Sequence, residues 1–216
     1  MKKVKNNKNY CALYVVRHGQ TEWNVQRRLQ GLKDSPLTKE GINKVKDVGR
    51  ALKKIKFDAV FSSDALRAKR TAEIIKLDRK LIVQTTKALR EKAFGKYEGM
   101  NYAKFRKIFK KQMKKRETLT DKQRYKFKLT PDFQSDEEFA PKFITFLRET
   151  AIAFAGKTVL IVSHGGTIRS FLVSMAFYTR KELPHGSVKN SSFVKLLSDG
   201  VDFFIKEVSG VEKVDI

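Results

Sequence analysis

The sequence predicts an α/β fold in which a mostly parallel sheet is sandwiched by helices on both faces. Segments with the features of strands alternate along the chain with segments of helical periodicity. The strand segments are continuously apolar, which is typical of parallel strands buried on both faces. A chain of 216 residues is long enough for one domain of this kind and short for two. We therefore expect residues 1–216 to form a single domain.

The elements of the first half follow from short apolar runs and one capping residue. The first strand is predicted over residues 12–16, which are apolar and rich in valine. Thr38 has the position of a helix N-cap, and apolar residues recur at helical spacing after it as far as Ile55. The next elements predicted are a strand over 58–61, a helix over 65–76 and a short strand over 81–83.

Residues 101–128 are predicted to be helical and strongly basic. Phe105, Ile108, Phe109 and Met113 mark one apolar face of this segment. Residues 102–128 contain twelve Lys or Arg and two acids, so they hold about ten of the chain's +24 net charges. We expect residues 101–140 to be a helical insertion, or flap.

The remaining elements complete the alternation. Ser135 and Glu138 form a possible capping box, although Pro141 predicts that the helix begins a few residues later. Gly156 should end this helix. The last predicted elements are a buried strand over 158–162, a helix over 167–177, and a hairpin of residues 192–197 and 201–207 around Asp199–Gly200.

Composition excludes several classes of protein. No apolar run approaches the ~20 residues of a membrane-spanning helix. The single cysteine excludes an intrachain disulfide framework and a cysteine-rich zinc site. The basic start of the chain leads into an apolar run, but Arg17–His18 interrupts that run and no signal-peptide cleavage site follows. We expect a cytoplasmic protein.

The net charge of +24 leaves several partners open. A basic chain can bind nucleic acid, an acidic membrane surface or an anionic small substrate. A lysine-rich surface without specific function is equally consistent with a charge spread over most of the chain.

Two histidines stand in matching positions after two predicted strands. The segments VVRHGQT, ending at Thr21, and IVSHGGT, ending at Thr167, share valine, histidine, glycine and threonine in register. Ser62–Ser63 similarly follows the strand over 58–61. Ligands of open parallel sheets bind outside the carboxyl ends of the strands, so we expect these three polar turns to meet in one crevice. The third histidine, His185, lacks this setting and is predicted to be a loop residue.

Histidines and arginines at one crevice suit phosphoryl transfer. Arg17 adjoins His18, Arg67 opens the helix after Ser62–Ser63, and guanidinium groups bind tetrahedral oxyanions well. An imidazole can attack phosphorus and form a covalent intermediate. The sequence has no Walker loop, no acidic metal-binding motif and no G-x-S-x-G elbow. These features predict phosphoryl transfer without a metal ion.

Five motifs in order then resemble a known family. The segment RHGQTEWN, residues 17–24, fits the R-H-G-x-T-x-x-N signature of the histidine phosphatase superfamily, in its phosphoglycerate mutase-like branch. The resemblance continues through Gln30–Gly31 with residues 34–38, residues 62–72, residues 89–99 and residues 163–166. It covers about residues 12–172.

The resemblance implies a role for each matching residue. His18 matches the nucleophile that becomes phosphohistidine, and Glu91 matches the proton donor to the leaving oxygen. The residues that match those around the phosphoryl group are Arg17, Arg67 and His164. The residues that match the substrate-binding rim are Gly19, Gln20, Thr21, Asn24, Gln30, Gly31 and Gly165. Two of these positions have an alternative. Glu98 could be the acid in place of Glu91, and Asn24 could serve as a helix cap without contacting the substrate.

The predicted function is hydrolysis of a small, anionic phosphorylated metabolite, with no metal and no cofactor. One alternative is a cofactor-dependent phosphoglycerate mutase, which would use the same pocket. The other is a basic module that keeps the fold and docks on nucleic acid. We expect neither a membrane nor a nucleic acid as partner, and the sequence leaves the oligomeric state open. Residues 101–140, predicted to lie over the active site, should set specificity.

Overall fold

Six strands form one sheet in the computed structural model, which describes residues 9–77 and 79–215. The strands are β1 (Cys11–Arg17), β2 (Ala59–Ser63), β3 (Val83–Thr86), β4 (Thr158–Ser163), β5 (Val188–Ser198) and β6 (Phe203–Val211). Their order in the sheet is β3-β2-β4-β1-β5-β6. The first four in this order are parallel, and β5 and β6 add an antiparallel edge. The prediction of a mostly parallel sheet is confirmed. The basic start of the chain, residues 1–8, lies outside the described residues.

Helices cover both faces of the sheet, as predicted. They are α1 (Glu22–Val25), α2 (Lys39–Ala51), α3 (Leu66–Ile75), α4 (Tyr102–Ile108), α5 (Lys110–Glu117), α6 (Asp121–Lys126), α7 (Asp136–Ala153) and α8 (Gly165–Ser174), with short 3₁₀ turns at Lys87–Leu89 and Gly95–Tyr97. Alternate residues of β1 point to opposite faces. Leu13 and Val15 pack in the cluster that contains residues of α7 and α8, whereas Tyr14 and Val16 pack with α2 and α3.

The third strand lies further along the chain than the sequence predicts. The prediction of a strand over 81–83 is wrong except at its last residue, because β3 starts at Val83 and Ile82 is 83% exposed. Val83 is the only buried residue of this edge strand. Strand β3 pairs with β2 from Val83 opposite Val60 to Thr86 opposite Ser63. A polar edge strand lacks the apolar run on which the prediction relied.

The insertion is helical but broken into short pieces. The chain leaves helical geometry at Phe109, between α4 and α5, and again after Glu117. Phe105, Phe109 and Phe133 are buried in a third apolar cluster, separate from the two that flank the sheet. The predicted face is wrong at Ile108, which is 49% exposed, because the break at Phe109 ends the helical period that placed Ile108 on it.

Helix α7 begins at Asp136 despite its proline. Ser135 and Glu138 pair at the helix start as predicted: Ser135 N donates to Glu138 Oε2 at 2.7 Å, and Ser135 Oγ donates to the same oxygen at 3.3 Å. The expected delay of the helix start by Pro141 is wrong. A proline near a helix start removes only one backbone hydrogen bond, and here the capping box secures the first turn.

The final hairpin is confirmed and is longer than predicted. Strands β5 and β6 pair antiparallel, and Gly200 adopts φ +90° in their turn. Within the described residues, none of the helices has the length and apolar character needed to cross a membrane.

Candidate active site

Two neighbouring strand ends bring the two histidines together. Arg17 pairs with Ser163 at the ends of β1 and β4, and a histidine follows each of them directly. The ring centroids of His18 and His164 lie 5.2 Å apart, and both side chains are buried. The third predicted turn is different, because Ser62 and Ser63 are buried inside β2.

The hydrogen bond of His18 determines its tautomer. Its Nδ1 lies 2.8 Å from the carbonyl oxygen of Gly19, which can only accept, so Nδ1 carries the proton. The backbone N–H of Gly19 in turn donates to Thr71 Oγ1 at 3.0 Å. Nε2 is therefore left with its lone pair. Burial, and then the charges of Arg67 and Arg17, lower the pKa of His18 well below its usual value, so the ring is neutral at pH 7.

His164 has the opposite tautomer. Its Nδ1 lies 3.1 Å from Arg67 Nη2, and because a guanidinium can only donate, Nδ1 accepts and Nε2 carries the proton. Burial, followed by Arg67, His18 and Arg17, lowers the pKa of His164 well below its usual value. The two neighbouring imidazoles are both neutral but differ at Nε2. His18 has a lone pair there, and His164 has a hydrogen-bond donor.

A loop ending at Asp34 orients the guanidinium of Arg67. Arg67 is 2% exposed, and its Nη2 donates to Gly31 O at 2.8 Å while Nη1 donates to Lys33 O at 2.8 Å and Asp34 Oδ1 at 3.1 Å. Gly31 adopts φ +59°, a conformation that favours glycine and turns its carbonyl toward the arginine. These three bonds, together with the one to His164 Nδ1, hold Arg67 in one orientation.

Arg17 is fixed from the other side of the pocket. Its Nη1 donates to Val188 O at 2.6 Å. Burial lowers the pKa of Arg17 to about 10, with Arg67 acting in the same direction and Glu91 opposing it. Gly165 lies against this guanidinium, and a Cβ atom there would lie 2.9 Å from Arg17 Nε. Glycine is therefore needed at position 165 for the arginine and the start of α8 to approach each other.

Three buried nitrogen atoms of this site have no hydrogen-bond partner within residues 9–77 and 79–215. They are Arg17 Nε, Arg67 Nε and His164 Nε2. Buried N–H groups in proteins are almost always paired, because an unpaired one costs free energy. Two of the three belong to cationic groups, so the arrangement suits an anion with several acceptor oxygens.

Glu91 is held beside this cluster at the wall of a cavity. The backbone N–H groups of Lys92 and Gly166 each donate to its carboxylate at 2.9 Å. The cavity has a volume of about 210 Å³, and Glu91 and His164 both line it, together with Gly31, Leu32, Leu66 and Arg90. A carboxyl group and an imidazole N–H therefore face the same small space.

Comparison with known protein families gives a match over most of the chain. The model of the histidine phosphatase superfamily (branch 1) matches residues 13–209. The chain belongs to this superfamily.

Relatives in the superfamily include both phosphatases and mutases. The protein is 31% identical over 165 residues to the uncharacterized phosphatase PhoE of Bacillus subtilis (strain 168), covering 76% of this chain and 77% of the relative. It is 30% identical over 184 residues to the 2,3-bisphosphoglycerate-dependent phosphoglycerate mutase of Methylocella silvestris, covering 80% and 84%. The solved structure of Bacillus stearothermophilus YhfR superposes with a TM-score of 0.79 at 25% identity, covering 94% of this chain and all of that one.

In this member of the histidine phosphatase superfamily, Glu98 braces the loop beside the cavity. Its carboxylate accepts from the backbone N–H groups of Leu32, Lys33 and Phe94, each at 3.0 Å. These bonds join the loop that orients Arg67 to the segment after Glu91. Glu98 is thus occupied by three backbone donors and does not line the cavity that Glu91 lines.

The polar residues of the predicted rim bond mainly to one another. Asn24 Oδ1 accepts from Thr21 N at 3.1 Å in the capping box of α1, so the capping interpretation of Asn24 is correct for this oxygen. Gln30 Nε2 donates to Thr21 Oγ1 at 2.8 Å, and Gln20 Oε1 accepts from Thr38 Oγ1 at 2.8 Å. Contact of these side chains with a substrate remains a prediction.

The structure adds residues that the sequence did not single out. Asn190 Nδ2 donates to His18 O at 3.2 Å and to Asn24 Oδ1 at 3.1 Å, so β5 braces the turn that carries His18. Asp34 and Thr71, which bond Arg67 and Gly19, stand inside the quoted motifs and could have been selected. Asn190 lies in the last forty residues, where the sequence carries no recognisable motif.

Activity without a metal ion remains a prediction that can be tested directly. Within the described part of the chain, no three His, Cys, Asp or Glu side chains are grouped so as to hold a metal ion. We expect phosphate release to be unchanged in EDTA and not to be stimulated by added Mg²⁺ or Zn²⁺. Loss of activity in EDTA that either cation restores would contradict this expectation.

Proposed function

We propose that this histidine phosphatase superfamily member is a phosphomonoesterase that hydrolyses a small phosphorylated metabolite through a phosphohistidine on His18. The opposite tautomers of the two histidines carry the proposal. Only His18 has an unprotonated Nε2, and burial with two arginines keeps that ring neutral. A neutral imidazole nitrogen is the form that can attack phosphorus.

In the first step, His18 Nε2 forms a bond to phosphorus while the bond from phosphorus to the ester oxygen breaks. Glu91, in its protonated form, transfers its proton to that oxygen, so an alcohol leaves rather than an alkoxide. The position of Glu91 at the cavity wall with His164 supports this role. Proton transfer of this kind typically contributes ~10²–10⁴ in rate.

In the second step, Glu91 as carboxylate takes a proton from water, and the water oxygen attacks phosphorus. The bond to His18 Nε2 breaks, inorganic phosphate leaves and Glu91 is again protonated. Atoms and charge balance over the cycle without a metal or cofactor. Lys92 N and Gly166 N both donate to this carboxylate, which supports a role for Glu91 in both steps.

The three unpaired nitrogens supply the electrostatic part of the mechanism. Arg17 Nε, Arg67 Nε and His164 Nε2 are free to donate to phosphoryl oxygens. The hydrogen bonds that the two guanidinium groups donate to Val188 O, Gly31 O, Lys33 O and Asp34 Oδ1 fix the arginines before substrate binds. Donors that are already oriented stabilise developing charge without reorganising during the reaction.

We further propose that the chain acts as one catalytic domain in the cytoplasm, with residues 101–140 forming part of the substrate site. Lys92, which follows Glu91, bonds Asp136 of this segment at 3.0 Å. The basic insertion is partly neutralised within the chain, since Lys126 and Lys128 pair with Glu137 and Glu138 of α7. This internal pairing and the complete catalytic set favour an enzyme over a nucleic-acid-docking module.

Phosphate release is expected to exceed mutase activity by a wide margin. A mutase must exclude water while the phosphoryl group waits on histidine. In the mutase branch, a lysine after the acid-bearing motif belongs to the substrate clamp, and residues 99–102 of this chain contain no cation. The measurement is a coupled enolase assay of 2- and 3-phosphoglycerate interconversion, with and without 2,3-bisphosphoglycerate, beside a phosphate-release assay. Fast, bisphosphoglycerate-stimulated interconversion with negligible free phosphate would establish the mutase alternative instead.

A further inference from the structure

Strand β5 bulges beside the turn that carries His18. Residues 188–193 of β5 lie opposite residues 209–211 of β6, so β5 holds three extra residues here. The pairing of β5 with β1 ends at Phe193 opposite Val16. The extra residues therefore lie beside the segment that follows Val16 and contains His18. Bulges of this kind often occur next to active sites, where they re-aim a side chain.

The bulge has a conformation that costs free energy. Ser191 adopts φ +62°, in the left-handed region that residues with a Cβ atom rarely occupy. Ser191 Oγ and Ser192 Oγ are buried and have no hydrogen-bond partner among the residues that the structure describes. Strained backbone clusters at functional sites, where the surrounding structure maintains it, and unpaired buried polar groups call for an explanation. This segment of β5 is therefore a candidate for a role in the reaction.

The bulge directs the side-chain amide of Asn190 at three oxygen atoms. Asn190 Nδ2 lies 3.2 Å from His18 O, 3.3 Å from Gly19 O and 3.1 Å from Asn24 Oδ1. Backbone carbonyl oxygens can only accept, so the amide atom that faces them is the nitrogen. The backbone N–H of Ser191 also donates to His18 O, at 3.3 Å. Two successive residues of the bulge thus hold the His18 turn.

One of these acceptors sets the tautomer of His18. Gly19 O accepts from His18 Nδ1 at 2.8 Å as well as from Asn190 Nδ2. His18 can attack through Nε2 only while its proton is on Nδ1, because the other tautomer has an N–H at Nε2. Asn190 fixes the carbonyl that holds this proton, so it acts on the nucleophile through one intervening group.

The same amide orients Asn24. Asn24 Oδ1 accepts from Thr21 N at 3.1 Å, from Thr21 Oγ1 at 3.0 Å and from Asn190 Nδ2 at 3.1 Å. A backbone N–H can only donate, so these contacts decide which end of the Asn24 amide is the oxygen. Nδ2 is then the end of Asn24 that can donate to a bound anion.

We propose that Asn190 is a positioning residue for phosphoryl transfer, which keeps His18 in the tautomer that attacks and holds Asn24 in one orientation. This role rests on the proposed phosphohistidine mechanism. When His18 Nε2 gains its bond to phosphorus, the ring becomes cationic, and its Nδ1–H bond to Gly19 O becomes charge-assisted and stronger. Asn190 acts through the Gly19 carbonyl and the Asn24 amide rather than on the phosphoryl group itself.

Single-turnover kinetics with p-nitrophenyl phosphate and excess enzyme measure the attack of His18. Asn190→Leu removes the donor and keeps the approximate size of the side chain. We expect the rate of p-nitrophenol release to fall at least about tenfold, the loss of one charge-assisted hydrogen bond. Lys189→Leu is the matched control, because it places the same side chain at the preceding, exposed position of β5, and it should leave the rate unchanged. Thermal melting checks that each variant is folded.

NMR of the resting protein separates positioning from a purely structural role. The chain has three histidines, so protein labelled with ¹⁵N-histidine gives three sets of ring signals, which His18→Ala and His185→Ala assign. In the parent we expect His18 to have its proton on Nδ1 and an unprotonated Nε2. In Asn190→Leu we expect part of the His18 population to have its proton on Nε2, with the signals of His185 unchanged.

Asn190→Asp is the second variant and gives both measurements if Asn190→Leu does not fold. It keeps the shape of asparagine but faces three oxygens with an oxygen, so it should lower the single-turnover rate at least as far. An unchanged rate in the folded variant, or a lower rate with the His18 ring signals of the parent, would overturn the proposal. NMR requires no turnover. A parent that forms no phosphohistidine would refute the proposed function, while the tautomer in the variant would still decide whether Asn190 positions His18.

Discussion

Replacing His18 with alanine is expected to lower phosphate release by at least about 10³-fold. Of the two histidines that meet at the ends of β1 and β4, only His18 has an unprotonated Nε2 beside the two arginines. Its loss removes the covalent route and leaves only the anion-binding groups. The measurement is the rate of p-nitrophenyl phosphate turnover by the parent and the variant at equal concentrations.

The same experiment includes a chemical signature of the intermediate. Quenching at neutral or alkaline pH with labelled substrate should trap a base-stable, acid-labile phosphoprotein in the parent and none in His18→Ala. His185→Ala is the matched control, because His185 lies in a turn outside the two strand ends and its Nε2 lies 3.3 Å from Arg116 Nη1 rather than beside His18. Substantial turnover by folded His18→Ala protein would exclude His18 as the nucleophile.

Replacing Glu91 with glutamine should have an effect that depends on the leaving group. An alkyl phosphate needs a proton on its departing oxygen, so we expect its hydrolysis to fall ~10²–10⁴-fold. The leaving group p-nitrophenolate departs without a proton, so His18 should still be phosphorylated by p-nitrophenyl phosphate. Water would then lack its base, and rapid-quench kinetics should show one equivalent of p-nitrophenol released in a burst before slow turnover.

Glu98→Gln is the control for the Glu91 variant. Both acids lie in one motif, but Glu98 accepts three backbone N–H bonds and braces the loop that orients Arg67. Its substitution should lower stability and affect both substrates alike, with no burst. A burst in Glu98→Gln and none in Glu91→Gln would assign the acid to Glu98.

The sequence was sufficient where a pattern is local and repeated. The apolar runs before His18 and His164 predicted β1 and β4, and the parallel pairing of those strands brings both histidines to one edge. Prediction failed where neighbouring elements decide the outcome. Strand β3 is recruited by pairing with β2 although only Val83 is buried, and Ile108 leaves the apolar face because the insertion packs as separate short helices.

The sequence by itself determined the fold class, the family motifs and which titratable residues meet at the crevice. Only the tertiary structure decided the chemical role that each of these residues can have. Two histidines in matching segments differ because one faces the carbonyl of Gly19 and the other the guanidinium of Arg67, an acceptor and a donor that impose opposite tautomers. Likewise, Asp136 and Arg180 stand forty-four positions apart in the sequence and meet only because α7 and the loop after α8 pack together. Proton positions and charge balance depend on neighbours distant in the chain, which no local pattern records.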